Sequence, residues 1–108
     1  MNSIDLRLGN GKSVGWIDQK SAVLPVTSRN YLAVGRGYSV DRDVLGQIRE
    51  HECAEICFFD ERKKQIFKIG VPEFLANART FNFGYGEKLV APQTLYSRID
   101  RRAQDANA

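Results

Sequence analysis

Ile4, Leu6 and Leu8 alternate with Asp5 and Arg7 at the start of the chain, a period of two that predicts a strand with one apolar face. Gly9-Asn10-Gly11 follows, residues that tolerate positive φ, and Val14 and Trp16 carry the alternation onward. SIDLRLGNGKSVGWID therefore reads as a β-hairpin. SAVLPVTS, from Ser21, is a third short apolar run. Pro25 removes a ladder donor there, which predicts an edge strand or a break rather than a central strand. Asn30 to Val34 is a fourth candidate, apolar enough to be buried on both faces.

The period then changes. Val40, Val44, Leu45 and Ile48 fall on one face of a helix. Ser39 reads as its N-cap, and Asp41 and Asp43 sit where the helix dipole favours negative charge, so the helix is expected from Ser39 to roughly Glu52. Gly46 weakens it by about 1 kcal/mol relative to Ala without breaking it. Glu55 to Phe59 and Ile66 to Ile69 are rich in β-formers and flank the charged turn DERKKQ, which predicts a second hairpin. VPEFLANA reads as a short helix opened by Pro72, with Phe74 and Leu75 as its contacts. RTFNFGYGEKLVAP contains one or two strands around a Gly-Tyr-Gly kink. Pro92 opens a last expected helix, PQTLYSRIDRRAQ, with Leu95 and Ile99 four apart, and the residues from about 104 fray. This order is that of a single α+β domain over residues 1–108. Its expected form is a largely antiparallel sheet of about five to six short strands, with roughly two or three helices packed on one face.

Composition narrows the class. At 108 residues, 43% hydrophobic and 27% charged, the chain is long enough and apolar enough to bury one core. No apolar run approaches the roughly 18 residues of a membrane span. The N-terminus lacks the basic-then-apolar order of a signal peptide, and two cysteines four residues apart suit a reducing compartment. The expectation is a cytoplasmic protein without a membrane partner. A net charge of +3 permits a polyanionic partner without requiring one.

Candidate chemistry begins with REHECAEICFF, which gathers His51, Cys53 and Cys57 among Glu50, Glu52 and Glu55. A zinc site needs three or four converging ligands, and in HExxH the two histidines share a helical face. Here Glu55 stands where the second histidine belongs. A change from helix to strand between the cysteines would also aim the two sulfurs apart. The cluster reads as structural, with Cys57 a small apolar residue in a buried strand, and neither metal nor cofactor is expected. Catalytic templates fail as well. The strand pair Glu55-Ile56-Cys57 and Gln65-Ile66-Phe67-Lys68 lacks the acid–x–lysine order of a PD-(D/E)xK nuclease, and no serine lies in GxSxG.

Other stretches point to binding. Gly35-Arg36-Gly37 ahead of Ser39 at an expected helix start is an arrangement that cradles anions. Val40 replaces the third glycine of GxGxxG, and Asp41 and Asp43 would repel an anion, so a simple glycine turn explains the segment equally. Arg62, Lys63 and Lys64 crowd one hairpin tip, and Arg98, Arg101 and Arg102 share a face of the expected last helix. Both are able to contact phosphates, although charged runs are commonly just solvated. Phe81, Phe83 and Tyr85 between glycines suit a base-stacking strand or ordinary core packing. The leading expectation is a small non-catalytic module that binds nucleic acid through Arg62, Lys63, Lys64, Arg98, Arg101 and Arg102. The alternative is a protein-interaction module or homo-oligomer. The third is a small anionic ligand at Gly35, Arg36, Gly37 and Ser39.

Overall fold

The chain begins with β1 (Ile4–Arg7), β2 (Ser13–Asp18), β3 (Ser21–Pro25), β4 (Ser39–Asp41) and α1 (Arg42–Glu50). It continues with β5 (Glu55–Asp60), β6 (Gln65–Gly70), α2 (Val71–Asn77), β7 (Arg79–Asn82), β8 (Glu87–Val90) and, after a 3₁₀ turn Gln93–Leu95, β9 (Ser97–Asp100). These elements come from a computed structural model that describes residues 3–31, 37–82 and 86–100. Six strands form a mixed sheet in the order β1-β2-β3-β5-β6-β9, in which β3 and β5 are parallel and every other pair is antiparallel. A second, antiparallel sheet has the order β4-β8-β7. The architecture is a compact single-domain α+β fold.

Strand alternation assigns the core. Leu6, Ile17, Ala22, Leu24, Ile56, Phe58, Phe67 and Ile69 are buried on one face of the large sheet. Val44, Leu45 and Ile48 of α1, Val71 and Phe74 of α2, and Val40 of β4 join the same cluster. Three residues of the helical stripe read from the sequence, Val44, Leu45 and Ile48, are therefore the face that α1 buries, whereas the fourth, Val40, lies in β4. Both expected hairpins form, β1 with β2 and β5 with β6. The other face of the large sheet carries Trp16, Val23, Pro25, Cys57 and Ile66 on successive strands, and none of them belongs to the core cluster.

Several expectations are corrected. β3 is an inner strand despite Pro25. Its ladder with β2 ends at Trp16 opposite Val23, so the missing Pro25 N–H falls beyond it, and the Pro25 carbonyl accepts a hydrogen bond from Asn30 Nδ2 at 3.0 Å. Ser39 is not a helix cap, because Ser39–Asp41 pairs with β8 and the helix starts three residues later than expected, with Asp41 at the N-cap. Leu75 is exposed, leaving Phe74 and Val71 to anchor α2. PQTLYSRID is not helical: a 3₁₀ turn leads into β9, which pairs with β6. An unpaired β6 edge needs partners for its backbone groups, and a strand supplies them where a helix cannot. Leu32, Ala33 and Val34 of the fourth candidate strand lie outside the described residues, as do the residues from 101 that were expected to fray; Tyr31 forms an isolated bridge with Tyr38.

α1 ends in a Schellman motif without its glycine. The Glu52 N–H donates to Arg49 O at 3.0 Å and the Cys53 N–H to Ile48 O at 3.2 Å, while Glu52 adopts φ 53°. A non-glycine residue in that region is disfavoured, and an acid at a helix C-terminus opposes the dipole. Glu52→Gly is expected to stabilise the protein by about 0.5–1 kcal/mol, read as a higher urea midpoint at unchanged slope. A lower midpoint would mean that the Glu52 side chain contributes more than its strain costs.

Candidate nucleic-acid interface

Strand direction decides which loops share an end of the large sheet. β3 and β5 run parallel, and β9 runs with them, placing Ser97 opposite Lys68 and Asp100 opposite Gln65. One end thus collects the β1–β2 turn with Lys12, the segment after β3 with Arg29, and the β5–β6 turn with Arg62, Lys63 and Lys64. The opposite end carries Asp18, Lys20 and, at the end of α1 and just beyond it, Glu50 and Glu52. Strands about 4.8 Å apart put the two basic turns about 14 Å from each other.

Arg62, Lys63 and Lys64 are all exposed. The Lys63 ammonium lies 5.8 Å from the centre of the Tyr31 ring, a cation–π distance, and Lys64 Nζ meets Glu61 Oε1 at 2.7 Å. Other acids at this end are paired too: Asp41 with Arg29 at 2.7 Å and Glu87 with Arg42 at 2.6 Å. Asp43 remains exposed in the first turn of α1. Arg98 is exposed on β9, opposite Phe67. Arg101 and Arg102 lie outside the described residues, and the helical face they were expected to share with Arg98 is replaced by a strand at Arg98.

A cleft of about 380 Å³ opens at the same end, where the β2–β3 ladder stops. Leu24, Val40 and Val44 form its floor, with Lys12 and Arg29 at its sides. Asn30 ties the segment together: its Oδ1 accepts from Thr27 N at 2.8 Å, and its carbonyl accepts from Ser39 N at 2.8 Å. Lys88, only 2% exposed, donates to the Arg29 carbonyl at 2.7 Å. Arg29 is thereby held at main chain and side chain. The Ser39 hydroxyl is buried and makes no hydrogen bond among the described residues.

Beneath the basic turn, Tyr38 stacks on Phe58 with ring centres 4.7 Å apart, and Tyr96 packs edge-on at 6.2 Å. Burial, with the nearby Asp60 carboxylate second, pushes the Tyr38 phenol up to about 12; burial and Tyr38 raise Tyr96 as well. Both phenols stay neutral at physiological pH. Asp60 is itself buried, and its Oδ1 accepts from Lys63 N at 3.3 Å, which fixes the start of the basic turn.

The chain matches no family model, no curated protein and no solved structure.

The cysteines do not converge. Cys53 belongs to the core cluster at the end of α1, whereas Cys57 lies on the opposite face of the large sheet, its Sγ donating to Glu55 Oε2 at 3.4 Å. Burial pushes the Cys57 thiol up to about 11, with the Glu55 carboxylate adding to the shift, so it is protonated at neutral pH. Burial raises Cys53 too, and the hydrogen bond from Ser21 holds Glu55 below the usual carboxylate range. Gly35 and Arg36 lie outside the described residues, as do Phe83, Gly84 and Tyr85. Gly37 is described, with φ 99° and packed near Ala91. Lys12, Arg29 and Tyr31 escaped sequence reasoning because each stands alone in the chain without a cluster to mark it. Only the sheet register sets them near the basic turn.

Proposed function

We propose that this domain is a non-catalytic nucleic-acid-binding module whose contact surface is the basic end of the large sheet. The observation that carries this reading is the register pairing Gln65 with Asp100. It brings β9, which leads in sequence to Arg101 and Arg102, beside the turn bearing Arg62, Lys63 and Lys64. Lys12 extends the surface, and Tyr31 offers an aromatic ring beside a cation, a combination suited to a phosphate flanked by a base. Acids gathered at the far end orient the molecule in the field of a polyanion.

Salt titration of oligonucleotide binding by fluorescence anisotropy tests the proposal. Affinity is expected to fall linearly with salt in log–log terms, by about 0.7–0.9 per phosphate contact. Replacing Arg62, Lys63 and Lys64 by Ala is expected to flatten the slope by roughly two to three contacts, and replacing Arg98, Arg101 and Arg102 to flatten it further. Comparing duplex with single-stranded DNA and RNA assigns the strand type. Undetectable binding at about 50 mM salt, or slopes unchanged in both variants, overturns the proposal.

A further inference from the structure

The cleft of about 380 Å³ opens because Pro25 stops the β2–β3 ladder. The last pair is Trp16 with Val23; beyond it Pro25 has no N–H to offer, and its carbonyl is taken by Asn30 Nδ2. β2 itself extends to Ser13, so Ser13, Val14 and Gly15 line the cleft with no β3 residue paired opposite them. At Gly15 that lining is main chain, which carries both donors and acceptors. Leu24, Val40 and Val44 beneath it are buried and apolar. Ser39, 1% exposed, also lines the cleft, and its hydroxyl has no hydrogen-bond partner among the described residues. Such a hydroxyl is a cost to the free protein that a bound partner relieves. The volume lies within the roughly 300–1,000 Å³ of small-ligand pockets.

We infer that this cleft receives one unpaired base of a single-stranded nucleic acid, with the flanking phosphates on Lys12 and on the Arg62-Lys63-Lys64 turn. The inference rests on the nucleic-acid reading of this end of the sheet and narrows it to one strand type. Chemistry, charge and position select the occupant. A base has apolar faces that suit the floor of Leu24, Val40 and Val44. Its edge carries neighbouring donors and acceptors, which suit the β2 main chain and the Ser39 hydroxyl, whose hydrogen turns to meet either. Asp41 at the cleft is paired with Arg29 at 2.7 Å, while Lys12 has no acidic partner among the described residues, so the cleft favours an anionic chain. The cleft also lies between the two basic turns, about 14 Å apart, where a strand running from one to the other crosses it. An extended peptide fits less well, because its affinity comes from a run of ladder hydrogen bonds and only three β2 residues lack a β3 partner. A duplex keeps its bases paired and stacked, and so presents neither face nor edge in this way.

Fluorescence anisotropy tests this with three probes of equal length: a single-stranded oligonucleotide, its duplex, and an abasic strand that keeps the phosphates. Wild type is expected to prefer the intact single strand to both of the others. Ser39→Ala removes one neutral hydrogen bond and no charge. It is expected to weaken binding of the intact strand by about three- to tenfold at an unchanged salt slope, and to bind the abasic strand as wild type does. Its melting temperature is expected to be no lower than that of wild type, because the lost hydroxyl has no partner in the free protein. A purely structural Ser39 gives a lower melting temperature and equal losses on intact and abasic strands, and that result overturns the inference. Equal wild-type affinity for all three probes also overturns it, while leaving the basic contact surface standing. Binding to none of them overturns the nucleic-acid reading itself, and this inference with it. Should Ser39→Ala fail to fold, the wild-type comparison of intact with abasic strand decides.

Discussion

Phe74→Ala is expected to cost about 3–5 kcal/mol of folding stability, the largest effect of any single substitution considered. Seven residues are too few for α2 to be helical alone, so tertiary burial must hold it. That burial is narrow: Val71 and Phe74 are its only buried residues, and Phe74 is fully inaccessible within the core cluster. Truncation removes the ring and leaves a cavity between α2 and β6 that a short helix between two strands cannot collapse to fill. Leu75, one position along, is 38% exposed, and Leu75→Ala is expected to stay within about 0.5 kcal/mol. Urea unfolding followed by circular dichroism measures both. Since small domains are stable by only about 5–15 kcal/mol, Phe74→Ala takes a large share of the total. Comparable losses at the two positions would mean that Phe74 is not the anchor.

Gly15→Ala is expected to destabilise the protein by roughly 3 kcal/mol, at the upper end of the range for overpacking. Gly15 is buried on β2 opposite Leu6. A methyl group there would collide with the carbonyl oxygen of Val23 and come within 2.8 Å of Leu24 Cδ2. The obstruction is main chain of the neighbouring strand, which cannot swing away as a side-chain tip does. Relief requires β2 and β3 to move apart, and the Trp16–Val23 pair at the mouth of the cleft would go with them. Gly46→Ala is the control, because a methyl group on that exposed helical glycine meets nothing within 4 Å. It is expected to stabilise α1 by up to about 1 kcal/mol. Thermal unfolding of the pair, with a melting temperature lowered by about 10 °C or more in Gly15→Ala and raised in Gly46→Ala, is the predicted outcome. A Gly15→Ala protein as stable as wild type would refute the close approach of β2 and β3.

Local pattern settled the elements whose partners are near in sequence. The period of two in Ile4, Leu6 and Leu8 with a glycine-rich reversal became the β1–β2 hairpin, and Val40, Val44, Leu45 and Ile48 became the buried face around α1. The β5–β6 hairpin and its basic turn were equally legible, since an antiparallel pair joined by a short turn needs no information from elsewhere in the chain. Where a partner is distant, the sequence is ambiguous. Leu95 and Ile99 fit a helical repeat as well as they fit an extended strand, and it is the open edge of β6 that fixes the segment as β9. Pro25 argues against an inner strand until Asn30 meets its carbonyl and the β2 ladder ends short of it. Asp60 belongs to the charged turn read from the sequence yet is buried, accepting from the Lys63 N–H, and Lys88 is buried with the Arg29 carbonyl as its acceptor, partners that composition does not reveal. The sequence by itself determined the hairpins, the amphipathic helix and the basic turn, all products of short-range periodicity and turn chemistry. Only the tertiary structure decided the parallel β3–β5 pairing, the gathering of cations at one end of the sheet and the pairing of the segment after Leu95 with β6. Each of those depends on which strands neighbour one another across the fold, and hydrogen bonding between distant segments sets that.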